Sequence, residues 1–192
     1  MSHGVLEVIV GCMSSGKSEE LLRRLKRAEI AKQSVIVFKP QTDTRTTTTI
    51  ASRTGGSRAA HIVPSSGDIL SLVQSEHVVI GIDEAQFFDA DICSVAEQLV
   101  RDGKRVIAVG LDTDFRGQPF GPIPTLLALA DHVTKLNAVC MQCGGVATRT
   151  YILKKPETLA DVPGSPIAVG GDELYEARCR DCFSLKSSIL DD

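Results

Sequence analysis

The chain has 192 residues, 43% of them apolar, with a formal net charge of −3. That is enough for one α/β domain plus a small appendage, and enough apolar content for a real core. The slightly acidic balance excludes a general polyanion-binding field, so no direct nucleic-acid partner is expected. No apolar run reaches the length of a membrane span and the N-terminus has no signal-peptide pattern, which together predict a cytoplasmic protein with no membrane partner.

Val5 to Val10 is an apolar run of strand character, and Glu19 to Lys32 carries Leu21, Leu22, Leu25 and Ala28 on one helical face. Between them lies Gly11-Cys12-Met13-Ser14-Ser15-Gly16-Lys17-Ser18, which reads G-x-x-x-x-G-K-S. Strand, loop and helix in that order are the context a Walker A phosphate loop requires. Its glycines let the backbone curl until successive N–H groups face phosphate oxygens. The following helix adds unpaired N–H groups and the positive end of its dipole. Lys17 is expected to bridge the β- and γ-phosphates of ATP, and the Ser18 hydroxyl to hold Mg²⁺. Gly11, Met13, Ser14, Ser15 and Gly16 complete the candidate nucleotide cradle.

Val35 to Phe38 reads as a second buried strand, closed by Pro40. Gln41 to Arg58 is polar, with Thr46-Thr47-Thr48-Thr49 and a Gly-Gly, and reads as a loop or hairpin. On composition alone its charges, Asp43, Arg45 and Arg53, are solvated loop surface. A short strand at Ile62-Val63 and a helix after Asp68 follow. His61 and His77 have no ligand-spaced partners and read as structural or exposed. Val78 to Ile82 is a third strand that runs into Asp83-Glu84. A carboxylate ending an apolar strand downstream of a phosphate loop is the Walker B pattern, in which Asp83 would hold the water shell of Mg²⁺ beside Ser18. Glu84 points to the opposite side of the chain or sits just beyond the strand tip, where it could accept a proton from a nucleophile.

Asp89 to Arg101 is a predicted helix, with Val95, Ala96, Leu99 and Val100 inward and Gly103 just past its end. Arg105 to Val109 is a fourth strand. It leads into the loop Gly110 to Gly121, placed where ligands bind in open α/β sheets. A helix over Leu126 to Ala130 and a strand over Val133 to Val139 complete the alternation, which predicts a parallel, helix-covered sheet.

The chain holds six cysteines, and in a reducing compartment thiols serve as metal ligands or buried small residues rather than disulfides. Cys140 and Cys143 form one C-x₂-C pair and Cys179 and Cys182 another, with 35 residues between. Two such knuckles can complete a tetrahedral four-sulfur site, which favours structural zinc. Cys12 and Cys93 are unpaired in sequence and read as structural. The segment between the knuckles is expected to form a loop. Pro156, Pro163, Pro166 and Gly170-Gly171 give it the look of a flap over a ligand, with Tyr175 pinned near a knuckle.

In order and spacing these stretches resemble the type II, cytosolic-type thymidine kinases over nearly the whole chain. The resemblance is carried by the phosphate loop with Met13 inside it, Asp83-Glu84-Ala85-Gln86-Phe87-Phe88, and Leu111-Asp112 with Phe115 and Pro119-Phe120-Gly121. It continues through Val139-Cys140-Met141-Gln142-Cys143 and Gly170-Gly171 with Tyr175, Cys179 and Cys182. It implies a RecA-like α/β phosphate-loop domain with a mainly parallel sheet over residues 1–138. A small zinc-ribbon-like domain over 139–192 would close a lasso loop on the nucleoside. The implied activity is transfer of the γ-phosphoryl group of ATP to the 5′-hydroxyl of thymidine or deoxyuridine, in salvage for DNA synthesis. A homotetramer with feedback inhibition by the end-product triphosphate is implied too.

Residue by residue, Glu84 resembles the general base and Phe115 the aromatic residue that stacks on the pyrimidine. Met13, Phe87, Leu111, Phe120, Thr150 and Tyr175 resemble the pocket wall. The backbone of Ala168, Val169, Gly170 and Gly171 resembles the segment that hydrogen-bonds the base. Asp43-Thr44-Arg45 matches a D-T-R element near the phosphates. Two departures stand out: Thr46 to Thr49 replaces the family's Tyr and further aromatic or His residues, and the lasso carries extra residues around Lys154 to Pro166. Two rival readings use the same motifs. A hydrolytic ATPase would turn Glu84 on water, and a non-catalytic nucleotide-binding module would recruit partners through its zinc knuckle.

Overall fold

In a computed structural model, which describes residues 3–41, 49–51, 56–153, 160–162, 165–167 and 174–184, the apolar runs of the first half become a six-stranded sheet. Its strands are β1 (Val5–Gly11), β2 (Ser34–Pro40), β5 (His61–Val63), β6 (His77–Ile82), β7 (Arg105–Gly110) and β8 (His132–Leu136). Their order is β5-β2-β6-β7-β1-β8, and every neighbouring pair is parallel. Strands β3 (Thr49–Ala51) and β4 (Ser57–Ala59) form a separate antiparallel pair, so part of the polar stretch after Pro40 is a hairpin.

Among the described residues four helices cover the sheet: α1 (Lys17–Ile30), α2 (Gly67–Leu72), α3 (Ile92–Arg101) and α4 (Ile123–Leu129). On one face Leu21, Leu25 and Ala28 of α1 pack on Ile9, Val37, Val79 and Ile107, with Ile50 of β3 closing the side. On the other face Ile69, Ile92, Val95, Leu99, Ile123 and Leu126 pack on Val8, Phe38, Ile80, Ile82 and Val106. A sheet buried on both faces needs near-continuous apolar strands, which is why these runs do not alternate. Each fully buried Leu or Ile contributes roughly 1.5–3 kcal/mol. No helix among the described residues is long and apolar enough to cross a membrane.

The structure moves several predicted boundaries. Helix α1 stops at Ile30 because Lys32 takes a left-handed φ of 58°, and its N–H bonds to Glu29 O at 2.8 Å. Helix α3 starts at Ile92 rather than Asp89, whose carboxylate instead accepts the amides of Ser66 and Asp91, each at 3.0 Å. Helix α4 starts at Ile123, with prolines at its first turn, where a missing N–H leaves no helical bond unmade. The predicted strand Val133 to Val139 breaks at Asn137. There the chain leaves the large sheet and continues as β9 (Ala138–Val139), paired with β10 (Val146–Ala147). The segment between the cysteine pairs also carries β11 (Arg149–Ile152), β12 (Ala160–Val162), β13 (Ser165–Ile167) and β14 (Tyr175–Arg178), where a loop was expected. β11 pairs with β14 and β12 with β13, both antiparallel.

Glu7, largely buried in β1, ties these layers together. Arg24 Nη1 donates to it at 2.6 Å and Arg105 Nε at 2.5 Å, while Arg24 Nη2 also reaches Thr134 Oγ1 at 2.8 Å. Burial opposes the Glu7 charge, but Arg105 and then Arg24 outweigh it and hold the carboxyl below its usual range. Such a group adds stability above its unfolded pKa and loses it as pH falls through the depressed folded value. Glu7→Gln, which leaves two guanidinium groups facing a neutral amide, is expected to cost about 3 kcal/mol at neutral pH. The gap from the parent should shrink in acid. Urea unfolding at neutral and acidic pH measures this, and a gap independent of pH would contradict it.

Candidate active site and metal centre

The C-terminal edge of the parallel sheet gathers three loops, after β1, β6 and β7. After β1, a Cβ on Gly11 would lie 2.4 Å from Leu136 O and 2.6 Å from Ser15 Oγ, so only glycine fits that crossing. Gly16 caps α1 at φ 82°, and a Cβ there would meet nothing within 4 Å. Its glycine is required by conformation, and the space over the helix N-terminus is open to an anion. Ser15 Oγ is buried with no hydrogen-bond partner among the described residues, an orphan that a phosphate oxygen would satisfy. Lys17 Nζ folds over the loop and donates to Cys12 O at 2.7 Å. Burial lowers the Lys17 ammonium pKa, against attraction led by Glu84 and including Asp83 and Asp112. The charges of those carboxylates therefore act on the ammonium that would meet the phosphates. The cradle fits ATP.

Asp83 follows β6 and is buried, and its N–H donates to Phe38 O at 2.9 Å. Burial, then the charge of Glu84, pushes its carboxyl up to about 7, against the attraction of Lys39 and Lys17. Ser18 and Asp83 are a hydroxyl and a hard oxygen acid beside the phosphate cradle, a donor set that suits Mg²⁺. Glu84 sits beyond the strand tip in the left-handed region, φ 52° and ψ 42°, and opens a 3-10 turn, Ala85–Phe87. For a residue with a Cβ this costs about 1–3 kcal/mol, and such strain concentrates at working positions. Gln86 Nε2 donates to Glu84 Oε2 at 2.6 Å, and Gln86 Oε1 accepts the Leu111 N–H at 3.1 Å.

The loop after β7 is built on Asp114. Its Oδ1 accepts the amides of Arg116 and Gln118, each at 2.9 Å, and its Oδ2 pairs with the Arg116 guanidinium. Gly117 turns the chain at φ 77°, and Thr113 bridges Pro119 across the loop. Asp112, also buried, pairs with Lys135 at 2.9 Å. The loop presents Phe115, which clusters with Ile152 and Tyr175, and Met13 and Leu174 pack against them. Phe87 and Phe120 meet edge to face, with centroids 5.6 Å apart. Thr150 turns its hydroxyl to the phosphate loop, accepting the Met13 N–H at 3.1 Å, and Cys12 Sγ donates to Ala147 O at 3.4 Å. Strands β10 and β11 thus support the phosphate loop from below.

The structure therefore brings Met13, Phe115 and Tyr175 together, joins Phe87 to Phe120, and ties Leu111 to Glu84 through Gln86. Asp43, Arg45 and Ala168 to Gly171 lie outside the described residues. Sequence reasoning gave no role to several buried polar residues here, Lys39, Gln86, Asp112 and Asp114 among them. Lys39 interrupts the apolar run of β2, a visible signal that was not read. Gln86 lies in the stretch that carries the resemblance, but its role was not legible because one of its partners is 25 residues away.

Cys140, Cys143, Cys179 and Cys182 converge, their sulfurs all within 4.8 Å of one another. Cys143 and Cys179 stand 3.7 Å apart, close to the edge of about 3.8 Å that a tetrahedron with zinc–sulfur bonds of about 2.3 Å requires. The peptide N–H of Cys179, with those of Cys143 and Gln142, draws the Cys140 thiol down to about 6. Crowding by the thiols of Cys179 and Cys143 pushes Cys182 up to about 12. A divalent cation is what would let four such sulfurs ionise together, and the donor set fits a zinc ribbon. Compared with known families, residues 4–183 match the family model for thymidine kinase.

Proposed function

The chain belongs to the thymidine kinase family, and from that premise we propose that it phosphorylates the 5′-hydroxyl of thymidine and of deoxyuridine with Glu84 as general base. Enzymes of this family are phosphotransferases with ATP and thymidine as substrates. The observation that carries the finer reading is the contact of Met13, inside the phosphate loop, with the Phe115–Ile152–Tyr175 cluster. An apolar, aromatic surface for a flat base thus adjoins the cradle for the triphosphate, with the Glu84 charge acting on Lys17.

In this reading Gly11 to Ser18 wraps the triphosphate, and Lys17 neutralises charge on the transferring group. Mg²⁺, held by Ser18 and through its water shell by Asp83, would add to that neutralisation. Glu84 takes the proton of the 5′-hydroxyl, directly or through one water. Phe115 stacks on the pyrimidine, and Phe87, Leu111, Phe120, Thr150 and Tyr175 wall the pocket. Thr150 also fixes the Met13 amide. Asp43 and Arg45 are assigned to the phosphate side and the backbone of Ala168 to Gly171 to the base edge. Zinc on the four cysteines braces residues 139–192 as the unit that closes over the nucleoside, with residues 1–138 as the ATP-binding unit. The reading includes a cytoplasmic homotetramer in nucleoside salvage.

The test is ADP production from Mg·ATP with and without thymidine, with the nucleoside product identified. ADP should appear only with thymidine and match thymidine monophosphate one for one, and deoxyuridine should substitute. ADP release indifferent to nucleoside would overturn the reading in favour of a hydrolytic ATPase.

A further inference from the structure

Gln86 is almost wholly buried, at 1% exposure, and both ends of its amide are engaged. Its Nε2 donates to Glu84 Oε2 at 2.6 Å, and its Oε1 accepts from Leu111 N at 3.1 Å. A backbone N–H can only donate, so the atom facing Leu111 is the oxygen and the atom facing Glu84 is the nitrogen. The surroundings leave no slack. A Cβ on Gly110 would stand 2.6 Å from Gln86 Oε1, and a Cβ on Gly121 would stand 2.4 Å from Gln86 O. Both ends of the loop that carries Phe115 therefore lie against this one residue, and at Gly121 the approach is to its backbone, at a position that only glycine can fill.

We propose that Gln86 is a positioning residue for phosphoryl transfer, locking the Glu84 carboxylate in one orientation and tying that orientation to the seating of the Gly110–Gly121 loop. The inference rests on the assignment of Glu84 as general base. Glu84 stands on a strained backbone. The short bond from Nε2 fixes the direction of one carboxylate oxygen ahead of the reaction. Because the same amide accepts from Leu111, displacement of the loop pulls on the base, so the base is aligned when the loop is in place.

Gln86→Met fills the same space and removes both hydrogen bonds. Gln86→Glu keeps an acceptor for Leu111 but turns the donor that faces Glu84 into a carboxylate oxygen. Both should lower kcat by roughly 10²-fold, the cost of a small misplacement of a reacting group. Gln86→Met should leave the KM for ATP unchanged. In a Glu84→Gln background Gln86→Met should lower kcat no further, since the oriented group is already gone. Losses that add in this cycle, a loss confined to KM, or a Gln86→Glu variant with parental kcat would each overturn the proposal. Parental turnover in Glu84→Gln alone would instead remove the base assignment, so the two failures are told apart. Thermal unfolding by circular dichroism checks that each variant is folded, and if Gln86→Glu is not, the Gln86→Met cycle decides.

Discussion

Glu84→Gln is expected to lower kcat for thymidine phosphorylation by about 10²–10⁴-fold, the usual contribution of a positioned general base, with ATP binding near parental. The substitution isolates basicity from shape. Glutamine keeps the length of the side chain and an oxygen that can accept the Gln86 Nε2 hydrogen bond, so the contact seen at 2.6 Å can persist. The left-handed backbone at φ 52° penalises both residues alike. What disappears is the charge and with it the proton acceptor. The loss should fall on kcat, because a proton accepted only as the 5′-oxygen attacks is an interaction made in the transition state. ATP binding should survive because the Gly11–Ser18 cradle and Lys17 are intact. Glu84 leads the attractions that oppose burial of the Lys17 ammonium, but the phosphates of bound ATP supply more negative charge than the variant removes. Titration calorimetry with ATP and single-turnover formation of thymidine monophosphate separate the two effects. Near-parental turnover would take Glu84 out of the base role.

The features that could be read from sequence share a physical property: they are local and periodic. The phosphate loop is contiguous, its flanking strand and helix announce themselves by their apolar spacing, and Asp83-Glu84 follows directly on a strand. The paired cysteines, although far apart in sequence, each form a local knuckle, and their convergence was legible from spacing alone. What escaped the sequence depends on contacts distant along the chain or on local competition. Asp89 resembles a helix starter but bonds the amides of Ser66 and Asp91. Lys32 looks like helix continuation but occupies the left-handed stop that glycine usually fills. Val133 to Val139 is apolar enough to be one strand, yet it serves two sheets in turn, and nothing in its periodicity marks Asn137 as the break. Thr150 could be assigned to the pocket by resemblance. That its hydroxyl holds the Met13 amide, 137 residues away, was beyond any pattern in the sequence.

That last contact ties the four-cysteine cluster to the phosphate loop. Cys12 of the phosphate loop is buried in one cluster with Cys140, Ala147 and Ala177, and Cys179 and Cys182 pack against it. The Met13 N–H and Cys12 Sγ both end on residues between the two knuckles, Thr150 and Ala147. If zinc holds the knuckles, it also holds the floor under Cys12 and Met13. Cys143→Ser is therefore expected to lose zinc, to destabilise this module by at least about 4 kcal/mol, the upper tail for single substitutions, and to weaken thymidine binding. Cys143 is the exposed member of the set, so its loss removes a ligand without opening a cavity in the core, and the effect can be assigned to the metal. Zinc content by elemental analysis and thymidine affinity by calorimetry give the first readings. Amide exchange at Met13 gives the decisive one. Its N–H is protected in this structure by the Thr150 hydroxyl, and exchange should quicken when the metal leaves, since metal binding and local folding are one equilibrium. A zinc-free variant with parental thymidine affinity and unchanged exchange at Met13 would mean that β10 and β11 hold the phosphate loop by packing alone. The metal would then serve only the module's outer end.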